Sequence, residues 1–256
     1  MPSLVRPLTL CYHAASGSWP HHLSLAPEII EGQVDALLRR GYRPARASDV
    51  VGGRGRLLHV TFDDAFASTG ALIAKLSVRG VPTTVFACSG LADRGGAPLA
   101  IEELDEQVGR SPDELVTMSW ADLSALCSEL GVEIGSHTVS HARLWELSDD
   151  ELRRELQDSK GSVEDHVGRS CRYLAYPYGL ADDRVIQATR RAGYEAAFLL
   201  LNGTWKDRHA LPRIDLYPPD RGLRLLLKTE PAVSLPIAGL LRAKRRVHAS
   251  PGAGRA

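Results

Sequence analysis

Short apolar runs alternate with stretches of helical periodicity along most of this chain. A strand followed by a helix, repeated in this way, is typical of α/β proteins with a parallel sheet. The predicted strands are LTLCY (8–12), LLHVTF (57–62), TTVFAC (83–88), VEIGS (132–136), YLAYP (173–177) and EAAFLLL (195–201). The predicted helices lie near 27–40, 67–79, 120–130, 148–166 and 181–192.

Glycine follows several of the predicted helices, as at Gly41, Gly80, Gly131 and Gly193. The residue just beyond a helix often adopts a left-handed conformation, which glycine tolerates best. Six such strands are named here, and a total of about seven in a chain of this length suits a closed or nearly closed barrel better than an open sheet, although periodicity alone does not choose between them. The predicted fold class is therefore α/β, with about seven parallel strands and a barrel favoured.

Two segments depart from this alternation of strands and helices. Residues 91–117 are rich in Gly, Pro and acidic residues, which indicates a loop excursion at the rim of a site. Residues 231–256 contain no acidic residue but do contain a basic cluster, and we interpret them as a flexible tail that follows a domain spanning 1–230. A weaker alternative takes LPIAGLLRAKRR in this tail as a surface helix that contacts anionic lipid.

Composition and charge narrow the class of protein. With 256 residues, 44% hydrophobic and 24% charged, the chain fits one globular domain, and disorder is excluded. Lys+Arg and Asp+Glu both number 31, so the net charge predicts no nucleic-acid partner. The four cysteines are scattered and indicate buried thiols. Because no signal-peptide pattern and no membrane-spanning run is found, we expect a cytoplasmic location.

Two adjacent carboxylates, Asp63 and Asp64, end the apolar run LLHVTF. In parallel α/β folds the loops at the carboxyl ends of strands hold the site. Neighbouring side chains at a strand end point in different directions, so one carboxylate could bind a metal while the other faces water or substrate. The alternative is a helix N-cap, in which one Asp accepts backbone N–H groups and the other adds favourable charge.

The segment VEIGSHTVSH places His137 and His141 four residues apart, just beyond another predicted strand. On one turn of helix both imidazoles would lie on the same face and could share a metal ion. Together with Asp64 they form a set of two histidines and one carboxylate, which leaves coordination positions open for water and substrate. Two solvated surface histidines are the alternative interpretation.

A third predicted strand ends in YLAYPYGL, where Pro177 and Gly179 indicate a tight loop around Tyr178. Such a loop can aim a backbone N–H at a developing oxyanion and add an aromatic ring to a pocket. An ordinary turn is the alternative.

In this order, TFDDAF (61–66), SHTVSH (136–141) and LAYPYG (174–179) resemble the first three motifs of the polysaccharide deacetylase family, also called the NodB-homology or carbohydrate esterase 4 family. The segments LCYHAASG and LPRID are similar to the branch that acts on poly-N-acetylglucosamine, and the resemblance extends over roughly residues 8 to 216. It implies a distorted (β/α) barrel and a metal-dependent amide hydrolysis, so that 1–230 would be the catalytic domain.

The resemblance also implies roles for individual residues. Asp64, His137 and His141 would bind the metal, Asp63 would be the base that takes a proton from the attacking water, and the backbone N–H of Tyr178 would stabilise the oxyanion. The metal would be zinc, with cobalt, nickel, manganese or iron as alternatives.

The sequence departs from the family pattern in two places. Ala175 stands where the third motif usually has an Arg that orients the base, and Arg213 in LPRID could replace it by pairing with Asp63, with Asp215 as a further candidate. A structural ion pair is the alternative. The late L-x-H motif that supplies the general acid is missing, so we assign this role to His13 in CYHAAS, unless it is a core histidine.

The other histidines and the tryptophans are weaker candidates. We interpret His59 as a hydrogen-bonded wall residue inside a strand. We interpret His21, His22, His166 and His209 as solvent-facing. Trp19 and Trp120 could form a platform for a sugar ring, although a lone tryptophan is more often structural.

The sequence therefore predicts a metal-dependent N-deacetylase that acts on an N-acetylated amino sugar in a glycan or glycoconjugate. Hydrolysis of another C–N bond, in a small amide or imide, and a non-catalytic carbohydrate-binding protein are the alternatives. A soluble precursor, or a lipid-linked sugar reached at the inner membrane face, would fit the expected location.

Overall fold

The computed structural model describes residues 6–101, 104–200 and 203–229. Nine strands and nine α-helices lie within these residues. The strands are β1 (Leu8–Tyr12), β2 (Arg43–Pro44), β3 (Leu57–Phe62), β4 (Thr83–Ala87), β5 (Glu133–Ser136), β6 (Tyr173–Ala175), β7 (Ala196–Leu199), β8 (Leu211–Pro212) and β9 (Ile214–Asp215). The helices are α1 (Pro27–Leu38), α2 (Ala47–Val51), α3 (Gly70–Val78), α4 (Ser89–Ala92), α5 (Asp105–Arg110), α6 (Trp120–Leu130), α7 (Asp149–Val167), α8 (Asp183–Arg191) and α9 (Gly222–Thr229).

All paired strands of the sheet are parallel, in the order β8-β7-β6-β5-β4-β3-β1-β9, and β2 pairs with β3 outside this path. The first and last strands of the path, β8 and β9, are consecutive in the chain and are separated only by Arg213. The chain itself therefore bridges the gap between the two edges of the sheet. The result is the predicted distorted (β/α) barrel, nearly closed, with eight strands in the path where the sequence indicated about seven.

The interior of the barrel is filled by side chains from several strands, some of which are not neighbours in the sheet. Phe86 of β4 contacts Phe198 of β7 with ring centroids 5.8 Å apart, and Tyr173 of β6 packs against the same Phe198. His59 of β3 is also buried, and its ring nitrogens lie 2.9 Å from the backbone oxygen of Ala45 and 2.9 Å from Thr84 Oγ1. His59 is thus a hydrogen-bonded wall residue, as the sequence indicated, and burial lowers its pKa to about 4.

The helices cover the outside of the barrel with one apolar face each. On α7 the buried residues Leu152, Leu156 and Val163 follow helical spacing, and Ser148 caps the first turn by accepting the N–H of Glu151. A left-handed glycine, Gly168, ends this helix. In the sequence each strand is a short, nearly continuous apolar run, because it buries both faces, one in the barrel and one under a helix.

Some sequence predictions fall outside these elements. The excursion at 91–117 contains α5 and a 3₁₀ turn at Pro112–Leu115. The proposed tail at 231–256 lies outside the described residues. Of the helices described, none is both long and apolar enough to cross a bilayer. The four cysteines are unpaired and buried, as expected of thiols in a core.

Candidate active site

A cavity of about 270 Å³ opens at the carboxyl ends of the strands. It is formed by loops that follow β1, β3, β5, β6 and β9, among others, because parallel strands end at the same rim of a barrel. Every side chain that the sequence singled out as catalytic or metal-binding lines it, except Arg213, which lies behind Asp63. The lining includes His13, Asp63, Asp64, His137, His141 and Tyr178.

One carboxylate and two imidazoles converge in this cavity. Asp64 Oδ1 lies 3.5 Å from His137 Nε2 and 3.4 Å from His141 Nε2. All three side chains are buried. His137 Nδ1 lies 2.8 Å from the backbone oxygen of Ala175, and donation to this carbonyl leaves the lone pair of Nε2 directed into the cluster.

The chemistry of this donor set fits a divalent metal ion. Asp64 Oδ1 is buried and has no hydrogen-bond partner among the described residues. Burial, reinforced by the neighbouring charge of Asp63, raises the pKa of Asp64 well above its usual range, while burial lowers the pKa of His141. A cation held between these groups would favour the ionised carboxylate and the neutral imidazoles that coordination requires.

The two histidines meet through a turn, which corrects the helical geometry that their spacing suggested. Thr138 and His141 both have left-handed backbone angles, with φ of 70° and 60°. Glu155 of α7 stabilises the turn, because its carboxylate accepts the N–H groups of Val139 and Ser140 and the hydroxyl of Ser140. The spacing of four residues therefore identified the pair, but a loop fixed by α7 brings the rings together.

The carboxylate of Asp63 is held by a guanidinium. Arg213 Nη1 and Nη2 donate to its two oxygens over 2.6 Å and 2.7 Å, and Nη1 also donates to Thr61 Oγ1 over 3.1 Å. The pair is buried, and Cys11 Sγ lies 3.4 Å from Asp63 Oδ2. Burial opposes the charge of Asp63, but the charge and hydrogen bonds of Arg213, together with His137 and His13, outweigh it and hold the pKa of this carboxyl well below its usual range. The pairing that LPRID suggested is present.

His13 lies beside Asp63 at the end of β1. One ring nitrogen of His13, an oxygen of Asp63 and Cys11 Sγ lie within 4.8 Å of one another. Burial lowers the pKa of His13, and the carboxylates of Asp63 and Asp215 act in the opposite direction. Asp215 also lines the cavity and accepts the hydroxyl of Tyr217 over 3.3 Å. The ring of His13 therefore interacts electrostatically with two carboxylates.

Tyr178 stands in a strained loop beside the histidines. Its φ is 59°, and its ring packs edge-on to His141 with centroids 4.7 Å apart. Gly179 follows with a φ of 64°, and a Cβ at this position would lie 2.3 Å from Leu200 Cβ. The glycine in the motif is therefore required twice, for its backbone angle and for the close approach of Leu200, just after β7. The role of the Tyr178 backbone N–H stays a prediction.

This double requirement gives a test of the loop. Gly179→Ala is expected to lower the free energy of unfolding by about 3 kcal/mol, because the methyl group combines backbone strain with a steric clash. Gly131→Ala is the matched control, since Gly131 has a φ of 66° but nothing within 4 Å of an added Cβ, and should cost about 1 kcal/mol. Urea unfolding measures both, and equal losses would contradict the packing argument.

A family model described as polysaccharide deacetylase matches residues 51–197, which is more than half of the chain. The chain belongs to the polysaccharide deacetylase family. This membership supports a hydrolase that removes acetyl groups. The matched range contains the Asp63-Asp64 pair, His137, His141 and the Tyr178 loop. No curated protein matches the chain by sequence.

Solved structures of similar fold agree with this assignment. The Streptococcus pyogenes deacetylase PplD in complex with acetate has a TM-score of 0.74 and 21% identity, over 90% of this chain and 100% of that one. IcaB from Ammonifex degensii has a TM-score of 0.70 and 20% identity, over 88% and 97%. A de-N-acetylase from Aggregatibacter actinomycetemcomitans has a TM-score of 0.70 and 17% identity, over 86% and 98%. At these identities the likeness establishes the fold.

The aromatic platform that the sequence suggested is not formed by the tryptophans of this polysaccharide deacetylase. Trp19 is buried at 2% exposure and donates its indole N–H to Gln107, while Trp120 donates to Asp93. His21 stacks on Trp19 with ring centroids 4.7 Å apart and lines the cavity itself.

Of the four histidines interpreted as solvent-facing, His22 and His166 are exposed, as predicted, whereas His21 is half-buried. His21 and His22 also line the active-site cavity, which the sequence did not indicate. His209 is buried, with Nε2 2.8 Å from the backbone oxygen of Tyr194. The polar neighbours of these residues in the sequence suggested exposure, but the loop after β1 folds over the cavity. A position in a strand-end loop was the available signal for His21 and His22.

Proposed function

We propose that this protein is a metal-dependent N-deacetylase that removes acetyl groups from an N-acetylated amino sugar in a glycan or glycoconjugate. One observation carries the proposal: a buried aspartate and two histidines converge next to a second aspartate that a buried arginine fixes, in a cavity of about 270 Å³. Metal-assisted amide hydrolysis needs both parts, a site for a Lewis acid and a base for water.

Asp64, His137 and His141 would hold the metal, with zinc as our proposal and cobalt, nickel, manganese or iron as alternatives. A divalent ion bound there supplies polarisation of the acetyl carbonyl and lowers the pKa of the attacking water toward about 7. The carbonyl of Ala175 orients His137, and Glu155 fixes the turn that carries both histidines.

Asp63 accepts the proton of the attacking water. Its carboxylate is ionised at neutral pH, because the charge of Arg213 keeps its pKa low in spite of burial. Arg213 also fixes the orientation of the carboxylate through two hydrogen bonds, so that the oxygen facing the cavity has one defined position.

His13 delivers a proton to the leaving amine. It lines the same cavity, with a ring nitrogen within 4.8 Å of an oxygen of Asp63, so both groups can reach the same substrate. The carboxylates of Asp63 and Asp215 favour its charged form against the effect of burial on its pKa. The backbone N–H of Tyr178 is our candidate for the oxyanion.

Acetate release from N-acetylglucosamine oligomers tests this function. We expect turnover with zinc-loaded protein, loss of turnover after chelation and recovery when the metal returns, because the proposed Lewis acid is needed for water attack. His141→Ala should lower metal content and turnover together, whereas His166→Ala, an exposed histidine outside the cavity, should change neither.

Two results would contradict the proposal. Turnover that persists in chelator would exclude the metal-dependent mechanism. A protein that binds one metal ion at the cavity histidines but releases no acetate from any of these oligomers would exclude the sugar substrate, and trials with small amides and imides would then separate another hydrolase from a binding protein.

A further inference from the structure

A second cavity, larger than the active-site cavity, lies on another part of the barrel. It is a groove of about 540 Å³ on the side of the barrel, between α1 and α9. Gln33, which lines this groove, donates its side-chain N–H to the backbone oxygen of Tyr217, and Tyr217 lines the active-site cavity. The lining of the groove combines an apolar floor with three arginines. These residues are Ile29, Ala36, Leu225, Arg39, Arg40 and Arg221.

The groove carries an excess of positive charge because two acidic residues of α1 form ion pairs outside it. Glu31 and Asp35 point toward α3, where Glu31 pairs with Lys75 over 2.8 Å and both acidic residues pair with Arg79. Of the residues that line the groove, Glu28 is the one acidic side chain. A chain with zero net charge thus presents a local cationic surface here.

Asp220, just before α9, is also neutralised by ion pairs. Asp220 is fully buried, and its carboxylate accepts Arg224 and Lys228 of α9 together with the backbone N–H of Tyr217. By contrast, Arg40 Nη1 is buried and has no hydrogen-bond partner among the described residues. A buried guanidinium N–H without an acceptor is costly, and an anion in the groove would satisfy it.

An exposed apolar side chain lies on α9, the helix that forms one side of the groove. Leu223 of α9 is 69% exposed and comes two residues after Arg221. Leu226 and Leu227 follow at helical spacing and are partly exposed. Apolar side chains next to a cluster of arginines are the combination that binds the headgroup region of an anionic membrane.

We propose that the groove between α1 and α9 is a binding site for an anionic phospholipid surface. The guanidinium groups of Arg39, Arg40 and Arg221 donate hydrogen bonds to the phosphate groups of the lipids. Leu223 inserts into the boundary between headgroups and acyl chains. This inference is independent of the catalytic proposal, because none of these residues lines the active-site cavity.

Vesicle co-sedimentation of the full chain tests the site. The probes are vesicles of phosphatidylcholine alone and of phosphatidylcholine with phosphatidylglycerol, and we expect binding to the anionic vesicles. Arg39→Ala/Arg221→Ala should weaken this binding about 25-fold, at about fivefold for each arginine. Leu223→Ser should weaken it roughly tenfold through the lost apolar contact. Circular dichroism confirms that each variant is folded.

Matched variants separate the groove from general charge and hydrophobicity. Arg154→Ala/Arg169→Ala removes two exposed arginines on and just after α7, which packs on β5, and should leave binding unchanged. Val78→Ser removes the other large apolar side chain that is exposed among the described residues and should also have no effect.

Three outcomes would overturn the proposal. The first is that anionic vesicles do not bind. The second is that the groove variants and the α7 variants bind equally well, which would assign the binding to another part of the chain. The third is that inorganic phosphate titrated by calorimetry binds at the groove arginines while vesicles do not compete, which would make the ligand a soluble phosphate.

Discussion

Replacing Asp63 with asparagine is expected to lower kcat for acetate release by about 10²–10⁴-fold, the usual contribution of a positioned general base. Asparagine has nearly the shape of aspartate but cannot take up the proton of the attacking water. In the parent protein Arg213 keeps the pKa of Asp63 low against the effect of burial, so the base is ionised at neutral pH. Steady-state kinetics with N-acetylglucosamine oligomers and metal-loaded protein measure the change.

Metal content distinguishes this role from that of a ligand. The Asp63→Asn protein should bind metal as the parent does, because Asp64, His137 and His141 are unchanged. Asp215→Asn is the control for a second carboxylate in the same cavity, and we expect a smaller loss from it. Undiminished turnover in Asp63→Asn would remove Asp63 from the mechanism, and loss of the metal together with turnover would make it a ligand.

Much of the site was predictable because its residues follow strands. Asp63 and Asp64 come directly after β3, and His137 follows β5, so the parallel topology alone brings them to one rim. The pairing of Arg213 with Asp63 was suggested by family resemblance and is present in the structure. Such contacts between distant parts of the chain leave no periodic signal in a single sequence.

The backbone of the site was not predictable. Asp64, Thr138, His141 and Tyr178 all have positive φ angles, which residues other than glycine adopt only when their surroundings impose them. A spacing of four between histidines indicated a helical turn, because local periodicity cannot detect a turn that is stabilised by Glu155 on a later helix. Tertiary contacts decided the conformation.

The last strands were missed for a related reason. The strands β8 and β9 have two residues each, too few for alternation to be recognised, although they form the two edges of the sheet path. Arg213 joins them. The residue that bridges the edges of the barrel is therefore the residue that fixes Asp63, and the geometry of the proposed base depends directly on how the barrel closes.

Because both partners are buried, Arg213→Met is expected to lower the free energy of unfolding by about 3–5 kcal/mol at neutral pH, the usual cost of leaving one charge of a buried pair without its partner. Methionine fills a similar volume but cannot donate to Asp63. Turnover should fall as well, since the carboxylate loses both hydrogen bonds that orient it. Chemical unfolding of the metal-free proteins measures the stability change separately from metal binding.

The double variant Asp63→Asn/Arg213→Met tests whether the charge pair is the cause. With both charges removed, most of the stability lost in Arg213→Met should return, because no buried charge remains unpaired.

The pH dependence of this stability has a defined sign. The folded-state pKa of Asp63 lies below its unfolded value of about 3.9, so the pair stabilises the parent above about pH 4 and this contribution is lost as the pH falls. The difference in stability between the parent and Arg213→Met should therefore be largest near neutral pH and shrink in acid. A difference that stays constant with pH, or a double variant as unstable as the sum of the two single ones, would assign the effect of Arg213 to packing at the junction of β8 and β9.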